Sequence, residues 1–224
     1  MEILGPGRVE HQTSRKHNTE AGFQGSPTGS FIMSNVTMTN VRTPFWLDYQ
    51  GESADGASAS VHNHGKRAIS AKIMISNLTA TGLGRTPFVV LADADAPLES
   101  LVLNNVHMSS VGGVEAKQSN GQGMSPYSML PWYGLYARSV ENLEFHNTTL
   151  SLEDRDIRPA VFASNIGNLE FDHFHADRNE GAEPSLILGQ VDRLVVDGKQ
   201  ASSEKFEIKG LDLTGDKIVA GEPF

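Results

Sequence analysis

The chain has 224 residues, enough for one or two domains with a sizeable buried core. Its 18 Lys and Arg residues against 27 Asp and Glu residues give a net charge of −9, which argues against nucleic acid or an anionic membrane as a partner. The absence of cysteine excludes disulfide bonds, zinc ribbons, iron–sulfur clusters and thiol nucleophiles.

Residues 1–30 are predicted to form a poorly defined N-terminal segment. They have neither the basic region nor the apolar stretch of a signal peptide. A small basic cluster at Arg15 and Lys16 is the feature of this segment that could touch a ligand. The longest apolar stretch of the chain, about Phe88–Ala92, is far shorter than the ~18 residues of a membrane helix, so we expect no membrane partner.

Residues 31–200 are dominated by an internal repeat. Residues 34–45 read SNVTMTNVRTPF and residues 76–88 read SNLTATGLGRTPF, a match interrupted by the single inserted residue Gly84. Weaker copies follow. The equivalent position in successive copies is residue 35, 77, 105, 147, 173 and 198, which is asparagine in the first four copies, His173 in the fifth and Gly198 in the sixth. The short spacings of about 25–28 residues indicate the repeat unit, and the longer ones a unit with an insertion.

Each unit alternates apolar and polar residues over about six positions, which predicts a strand with one buried face. The Thr-Pro-Phe runs and the residues after Pro159 and Pro184 predict a second strand in each unit. Strands at this period without helices predict an all-β fold, a right-handed parallel β-helix that turns once per repeat. The recurring asparagines would form an internal ladder at a left-handed corner. A β-sandwich is the alternative, but hairpin turns are scarce. Residues 201–224 are predicted to be a C-terminal cap or tail.

Two segments carry a resemblance to a known family. The repeat over residues 36–82, together with residues 130–143 (LPWYGLYARSVENL) and 156–161 (DIRPAV), resembles the C-terminal turns of glycoside hydrolase family 28, the polygalacturonases and rhamnogalacturonan hydrolases. The resemblance covers about residues 30–200. It implies a right-handed parallel β-helix of the pectin-lyase-like kind, of which this chain holds only a part. It also implies a pectic polysaccharide as substrate or ligand, inverting hydrolysis, no cofactor, and a secreted or periplasmic location.

The family's catalytic motifs are missing from this chain. Inversion requires an acid and a base carboxyl about 6.5–9.5 Å apart. The chain has no Asp-Asp pair, no Asn-Thr-Asp and no Gly-His-Gly. We therefore predict no catalytic residue here and no hydrolysis by this chain alone. The alternatives are a non-catalytic carbohydrate-binding or structural β-helix module, or a surface adhesin.

The expected substrate-binding residues are few. The strand over residues 46–49 presents two aromatic residues beside a carboxylate, a combination common in sugar sites, although packing of Trp46 in the core is the competing interpretation. The basic cluster resembles a family element that binds a uronate carboxylate. The candidates are therefore Arg15, Lys16, Trp46, Asp48 and Tyr49.

Other polar motifs are interpreted as structural. Asp93 and Asp95 are predicted to lie in a solvated turn, and Asp154 and Asp156 to be solvated charges near two arginines. The spacings of His62 with His64 and of His173 with His175 resemble metal-binding pairs but lack a third ligand, so no metal site is predicted. The three Asn-x-Thr sequons coincide with ladder positions, which explains them better than glycosylation does.

The N-terminal end of the repeat is the expected weak point. A solenoid that begins at the first recognisable turn exposes an apolar cross-section and an unpaired edge. Residues 1–30 supply no obvious amphipathic capping helix. We therefore predict self-association through that end, or a requirement for a segment upstream.

Overall fold

The structure, a computed structural model, describes residues 2–4, 8–10, 28–49, 69–84, 88–94, 97–114, 132–182, 186–200 and 219–220. All the regular elements in these ranges are strands, and no helix occurs among them. The prediction of an all-β fold is confirmed. Among the described residues there is likewise no helix that could span a membrane.

The described residues form thirteen strands. They vary from two residues to eighteen, and the long ones correspond to the alternating segments of the repeat. Their bounds are β1 Glu2–Leu4, β2 Arg8–Glu10, β3 Thr28–Thr39, β4 Trp46–Tyr49, β5 Ile69–Leu83, β6 Phe88–Ala92, β7 Leu98–Ser110, β8 Leu135–Leu152, β9 Val161–Ala176, β10 Leu186–Leu188, β11 Val191–Val196, β12 Lys199–Gln200 and β13 Val219–Ala220.

The sheet has two paths of paired strands that share β8 and β9. The long path runs β3–β5–β7–β8–β9–β11–β12 and the second path runs β4–β6–β8–β9–β10–β13. Every pair in the two paths is parallel except β11 with β12. The hairpin of β1 and β2 is antiparallel and separate. Parallel neighbours require crossover connections, which fits one strand from each repeat.

The six predicted corner positions share one backbone conformation. Residues 35, 77, 105, 147, 173 and 198 have φ of 58°, 52°, 54°, 47°, 51° and 73°, all left-handed. Asparagine tolerates this region better than most residues because its short side chain can hydrogen-bond locally. The corner prediction is therefore confirmed for the four asparagines and for His173. Gly198 instead lies with Asp197 in the two-residue turn between β11 and β12, where Val196 pairs with Lys199.

The asparagines at these corners form a chain of amide hydrogen bonds. Asn77 Nδ2 donates to Asn35 Oδ1 at 3.0 Å, Asn105 Nδ2 to Asn77 Oδ1 at 2.8 Å, and Asn147 Nδ2 to Asn105 Oδ1 at 2.9 Å. The ladder is confirmed but its predicted place inside the coil is wrong. Asn35, Asn77 and Asn147 are exposed, because the left-handed corner turns these side chains towards solvent.

The core lies on the other side of the same strands. Inward residues of one strand stack on those of the next, as Phe145 does on Phe171 with ring centroids 4.9 Å apart. Phe45 and Phe88, the last residues of the two Thr-Pro-Phe runs, have ring centroids 4.6 Å apart. The extra residue between the repeats is a glycine because a Cβ on Gly84 would come 2.6 Å from the Arg42 carbonyl oxygen.

Candidate functional site

Rows of polar and charged side chains lie on the solvent side of the long path, over the strand residues that precede the asparagine corner. We call this surface the outer face. Because the strands are parallel and in register, every second residue falls into a row across the strands. The first row is Ser30, Lys72, Ser100, Asn142, Asn168 and Arg193; the second Ile32, Met74, Val102, Glu144, Glu170 and Val195; the third Ser34, Ser76, Asn104, His146 and Asp172.

The first row is polar along its whole length. Lys72 Nζ lies 3.1 Å from a Glu99 carboxylate oxygen, and the Lys72 side chain is exposed. Arg193, four strands away, is exposed and donates from Nη1 to Asn168 Oδ1 at 2.8 Å. At about 4.8 Å per strand step, the two cations lie about 19 Å apart. The row thus combines amides and hydroxyls with a cation near each end.

The second row changes character along the path. Ile32 is 67% exposed and Met74 40% exposed, and Val102 beside them is half-buried. The next two strands place Glu144 and Glu170 in the same row, as register partners. An exposed apolar strip at the β3 end is therefore followed by carboxylates towards β9.

His146 lies between carboxylates of two strands. Its Nε2 is 3.1 Å from Glu144 Oε2, and its Nδ1 is 3.5 Å from Asp172 Oδ2. Partial burial lowers the pKa of His146, but the hydrogen bonds with Glu144 and Asp172 and the charges of Glu144 and Glu170 outweigh it and raise the pKa above its usual value. The imidazole is thus biased towards its charged form.

Asp172 joins this cluster to the corner. Its Oδ1 lies 2.7 Å from His173 Nδ1, and the His173 backbone N–H donates to Asp197 Oδ1 at 3.1 Å. Hydrogen bonding to His173, and secondarily to His146, lowers the pKa of the Asp172 carboxyl although slight burial opposes it. Asp172, His173 and Asp197 form the one group of three acidic or histidine side chains, among the described residues, whose potential metal-ligand atoms all lie within 4.8 Å of one another. Asp172 already engages the His173 ring, Asp197 accepts from the His173 backbone N–H, and His173 is exposed.

Trp46, one of the two aromatic residues of the predicted sugar platform, is buried. Trp46 is 3% exposed and belongs to a second apolar cluster with Val89, Tyr136 and Phe162, a register row on the second path. The rings of Tyr136 and Phe162 are stacked at 4.9 Å. Burial raises the pKa of the Tyr136 phenol, against the opposing charge of Arg138. In this conformation Trp46 does not present its ring to a sugar, which agrees with the core-packing interpretation.

The remaining predicted site residues are placed only in part. Asp48 and Tyr49 lie on β4, where their backbones are in register with Leu91 and Ala92 of β6. Arg15 and Lys16 lie outside the described residues. Trp46 is therefore the one predicted site residue whose side chain the structure describes.

The prediction that Asp156 is a solvated charge is wrong. Its side chain is fully buried, and its carboxylate accepts from Arg158 Nε at 3.0 Å and from Arg158 Nη2 at 2.7 Å. Arg158 Nη1 donates to the Trp132 carbonyl oxygen at 3.0 Å, so the pair links the segments that precede β8 and β9. Asp154 is exposed, as expected. Burial is tolerated because Asp156 and Arg158 neutralise each other through hydrogen bonds and because Arg158 makes a further hydrogen bond to the Trp132 carbonyl oxygen.

The other polar motifs have structural surroundings. Asp93 follows β6 and is half-buried, and Asp95 lies outside the described residues, as do His62 and His64. His175 Nε2 lies 3.1 Å from Asp177 Oδ1, and Asp177 Oδ2 accepts from the Leu152 backbone N–H. Asp177 therefore anchors one turn on the next.

Sequence reasoning missed the cluster of Glu144, His146, Glu170 and Asp172. The signal was present in the repeat itself. Residues 143–147 read LEFHN and residues 169–173 read LEFDH, so aligning the two copies places Glu144 on Glu170 and His146 on Asp172. Comparing equivalent residues of the two copies, instead of neighbours along the chain, would have predicted the cluster.

Comparisons of this chain with protein-family models, with curated proteins and with solved structures find no match.

Proposed function

We propose that the described strands are turns of a right-handed parallel β-helix related to the C-terminal turns of glycoside hydrolase family 28. One observation carries this part of the proposal. Each repeat contributes one strand to the long path, and the corner residues of consecutive repeats stack with hydrogen bonds across offsets of 42, 28 and 42 residues. A coil that passes the same corner once per turn accounts for that stacking.

We further propose that the module binds a pectic polysaccharide on the outer face without hydrolysing it. The first row supplies amides and hydroxyls for sugar hydroxyl groups, and Lys72 and Arg193 supply charges for uronate carboxylates. The apolar strip of Ile32 and Met74 suits the C–H face of a sugar ring. A polymer of this kind lies outside the cell membrane, so the function implies a secreted or periplasmic protein.

The charge of the outer face also sets a limit on the ligand. Glu144, Glu170 and Asp172 would repel a fully charged polyuronide over the β8–β9 region. A ligand in which uronates alternate with neutral sugars meets fewer of these carboxylates. We therefore expect rhamnogalacturonan to bind more tightly than homogalacturonan.

Binding can be measured by affinity electrophoresis and calorimetry with rhamnogalacturonan, homogalacturonan and a neutral galactan. We expect the double variant Lys72→Ala/Arg193→Ala to lose at least tenfold in affinity for rhamnogalacturonan. The matched control is Arg155→Ala, which removes an exposed arginine that donates to the Glu180 carbonyl oxygen away from the outer face. Added salt should weaken binding to the charged polymers because it screens the cations.

Hydrolysis is assayed on the same polymers by release of reducing ends. We expect none above the background, since no acid and base pair is predicted in this chain. Release of reducing ends by the purified chain would refute the non-catalytic part of the proposal. Equal affinity of the wild type and the double variant, or no binding to any of the three polymers, would instead favour a structural or adhesin module.

A further inference from the structure

The edge of the long path at β3 differs from its opposite edge. Among the described residues β3 pairs on one side only, with β5. At the other end β11 is followed by the short antiparallel strand β12, which carries Lys199. A charged two-residue strand of opposite direction blunts an edge, which is how natural sheets avoid pairing with other chains. The β3 edge has no such protection in the described part.

The β3 strand itself is composed for pairing. Over Thr28–Thr39 it carries no charged residue and no proline, although the chain as a whole has 45 charged residues. Its outward residues Ser30, Ile32 and Ser34 are exposed, and its inward residues Phe31 and Met33 are apolar and buried. Natural edge strands are commonly interrupted by lysine, proline or a bulge.

The asparagine ladder also ends at this edge, where the Asn35 amide group is the last donor of the series. Asn35 Oδ1 accepts from Asn77, but no acceptor for Asn35 Nδ2 lies among the described residues. The hydrogen-bonding pattern of the stack is thus open at β3.

We propose that the β3 edge is the interface of a two-fold symmetric dimer, in which residues 28–34 of two copies pair as antiparallel strands. A second copy is the occupant that the charges favour, since an uncharged strand meets its own image without like-charge repulsion despite a net charge of −9. A head-to-tail filament is disfavoured because β12 ends the long path with a strand of the wrong direction. The contact is therefore isologous and closes at two copies.

The inference rests on strand register and composition and not on polysaccharide binding, so failure of either proposal leaves the other standing. Sedimentation velocity of the wild-type chain over 1–100 µM should show a dimer. A monomer throughout, or a series of growing oligomers, would overturn the proposal.

A charge on the edge should separate the copies. Ile32→Lys places two ammonium groups close together across the two-fold axis, and we expect the dimer dissociation constant to rise at least a hundredfold. Because Ile32 is already 67% exposed, the fold should survive, which circular dichroism checks. Met74→Lys is the matched control, since Met74 is an exposed residue in the same row but one strand inward, and it should leave the dimer intact. Equal effects of the two variants would contradict a β3 interface.

Cross-linking gives a second test that does not depend on the lysine variants. The chain has no cysteine, so Ser30→Cys, Ile32→Cys and Ser34→Cys, alone and in pairwise mixtures, report only the introduced thiols. A disulfide needs Cα atoms about 4.4–6.8 Å apart, which antiparallel neighbours satisfy. At least one combination should yield a covalent dimer under mild oxidation, whereas Met74→Cys should not. No cross-link in any β3 combination would overturn the arrangement.

Discussion

The amide of Asn77 donates to Asn35 across 42 residues of chain, at an Nδ2 to Oδ1 distance of 3.0 Å, and both residues have left-handed backbones. Asparagine at this position therefore contributes in two ways, through its amide hydrogen bonds and through its tolerance of the left-handed backbone. A residue without an amide loses the hydrogen bonds, and a residue with a Cβ but no polar group also meets the cost of the left-handed region.

Substitutions at Asn77 should separate these two contributions. Asn77→Gly loses two amide hydrogen bonds in an exposed setting, at about 1 kcal/mol in total. Asn77→Ala adds about 1 kcal/mol for an alanine at positive φ. Urea unfolding of both variants measures the difference. Asn104→Ala, at the neighbouring exposed position on the outer face, is the control and should stay within about 0.5 kcal/mol of the wild type.

Removing one partner of the buried ion pair should be costly. Asp156→Asn leaves the Arg158 guanidinium buried with its main charge partner gone, and we expect a loss of about 3–5 kcal/mol in the free energy of unfolding. Asp154→Asn, two residues earlier and exposed, should change it by less than about 0.5 kcal/mol. A loss at Asp156 as small as that at Asp154 would mean that the pair is solvated in solution.

The close approach of neighbouring backbone segments explains why residue 134 is a glycine. A Cβ on Gly134 would lie 2.5 Å from the Ala160 carbonyl oxygen and 2.7 Å from Leu150 Cδ1. Gly134→Ala should destabilise the chain by about 1–3 kcal/mol because the backbone of the next turn must move. Gly29→Ala adds a Cβ with nothing within 4 Å and should be neutral or slightly stabilising. Thermal melts of the two variants compare a crowded site with an open one.

The stability of the chain should depend on pH through His146 and Asp172. The raised pKa of His146 contributes stability that is complete below about pH 6.5 and is lost as the pH rises through the folded-state pKa. The lowered pKa of Asp172 contributes stability above about pH 3.9 that is lost as the pH falls through the folded-state pKa. Both contributions are therefore present together between about pH 4 and 6.5.

The measurement compares the wild type with His146→Gln over pH 4–8.5 by urea unfolding. The wild type should be more stable by about 0.5–1 kcal/mol near pH 5.5 and should lose this advantage above neutrality. His107→Gln, which removes an exposed histidine from β7, is the control for loss of a histidine outside the cluster. A difference that does not change with pH would indicate that His146 acts only by packing.

The repeat predicted the strands, their parallel register and the left-handed corners because these depend on local alternation and on asparagine at a fixed period. The exposure of Asn77 and the burial of Asp156 could not be predicted in the same way. Each depends on which residues of another turn lie beside the side chain, as Arg158 and the Trp132 carbonyl do for Asp156. The cluster of Glu144, His146, Glu170 and Asp172 was partly predictable. Its residues stand at equivalent repeat positions, but their proximity can be recognised only when two copies of the repeat are aligned as neighbouring strands.

The shared strands β8 and β9 also bear on how the chain folds. Their register extends from Leu135 with Val161 to Leu150 with Ala176 and spans both paths. Their partners are about 26 residues apart in the chain, whereas β3 and β5 partners are 42 apart, as Asn35 and Asn77 are. Closing the longer loop costs about 0.4 kcal/mol more in chain entropy. We therefore expect β8 and β9 to pair first and to serve as the template on which the strands towards β3 are added, with β3 the last to join.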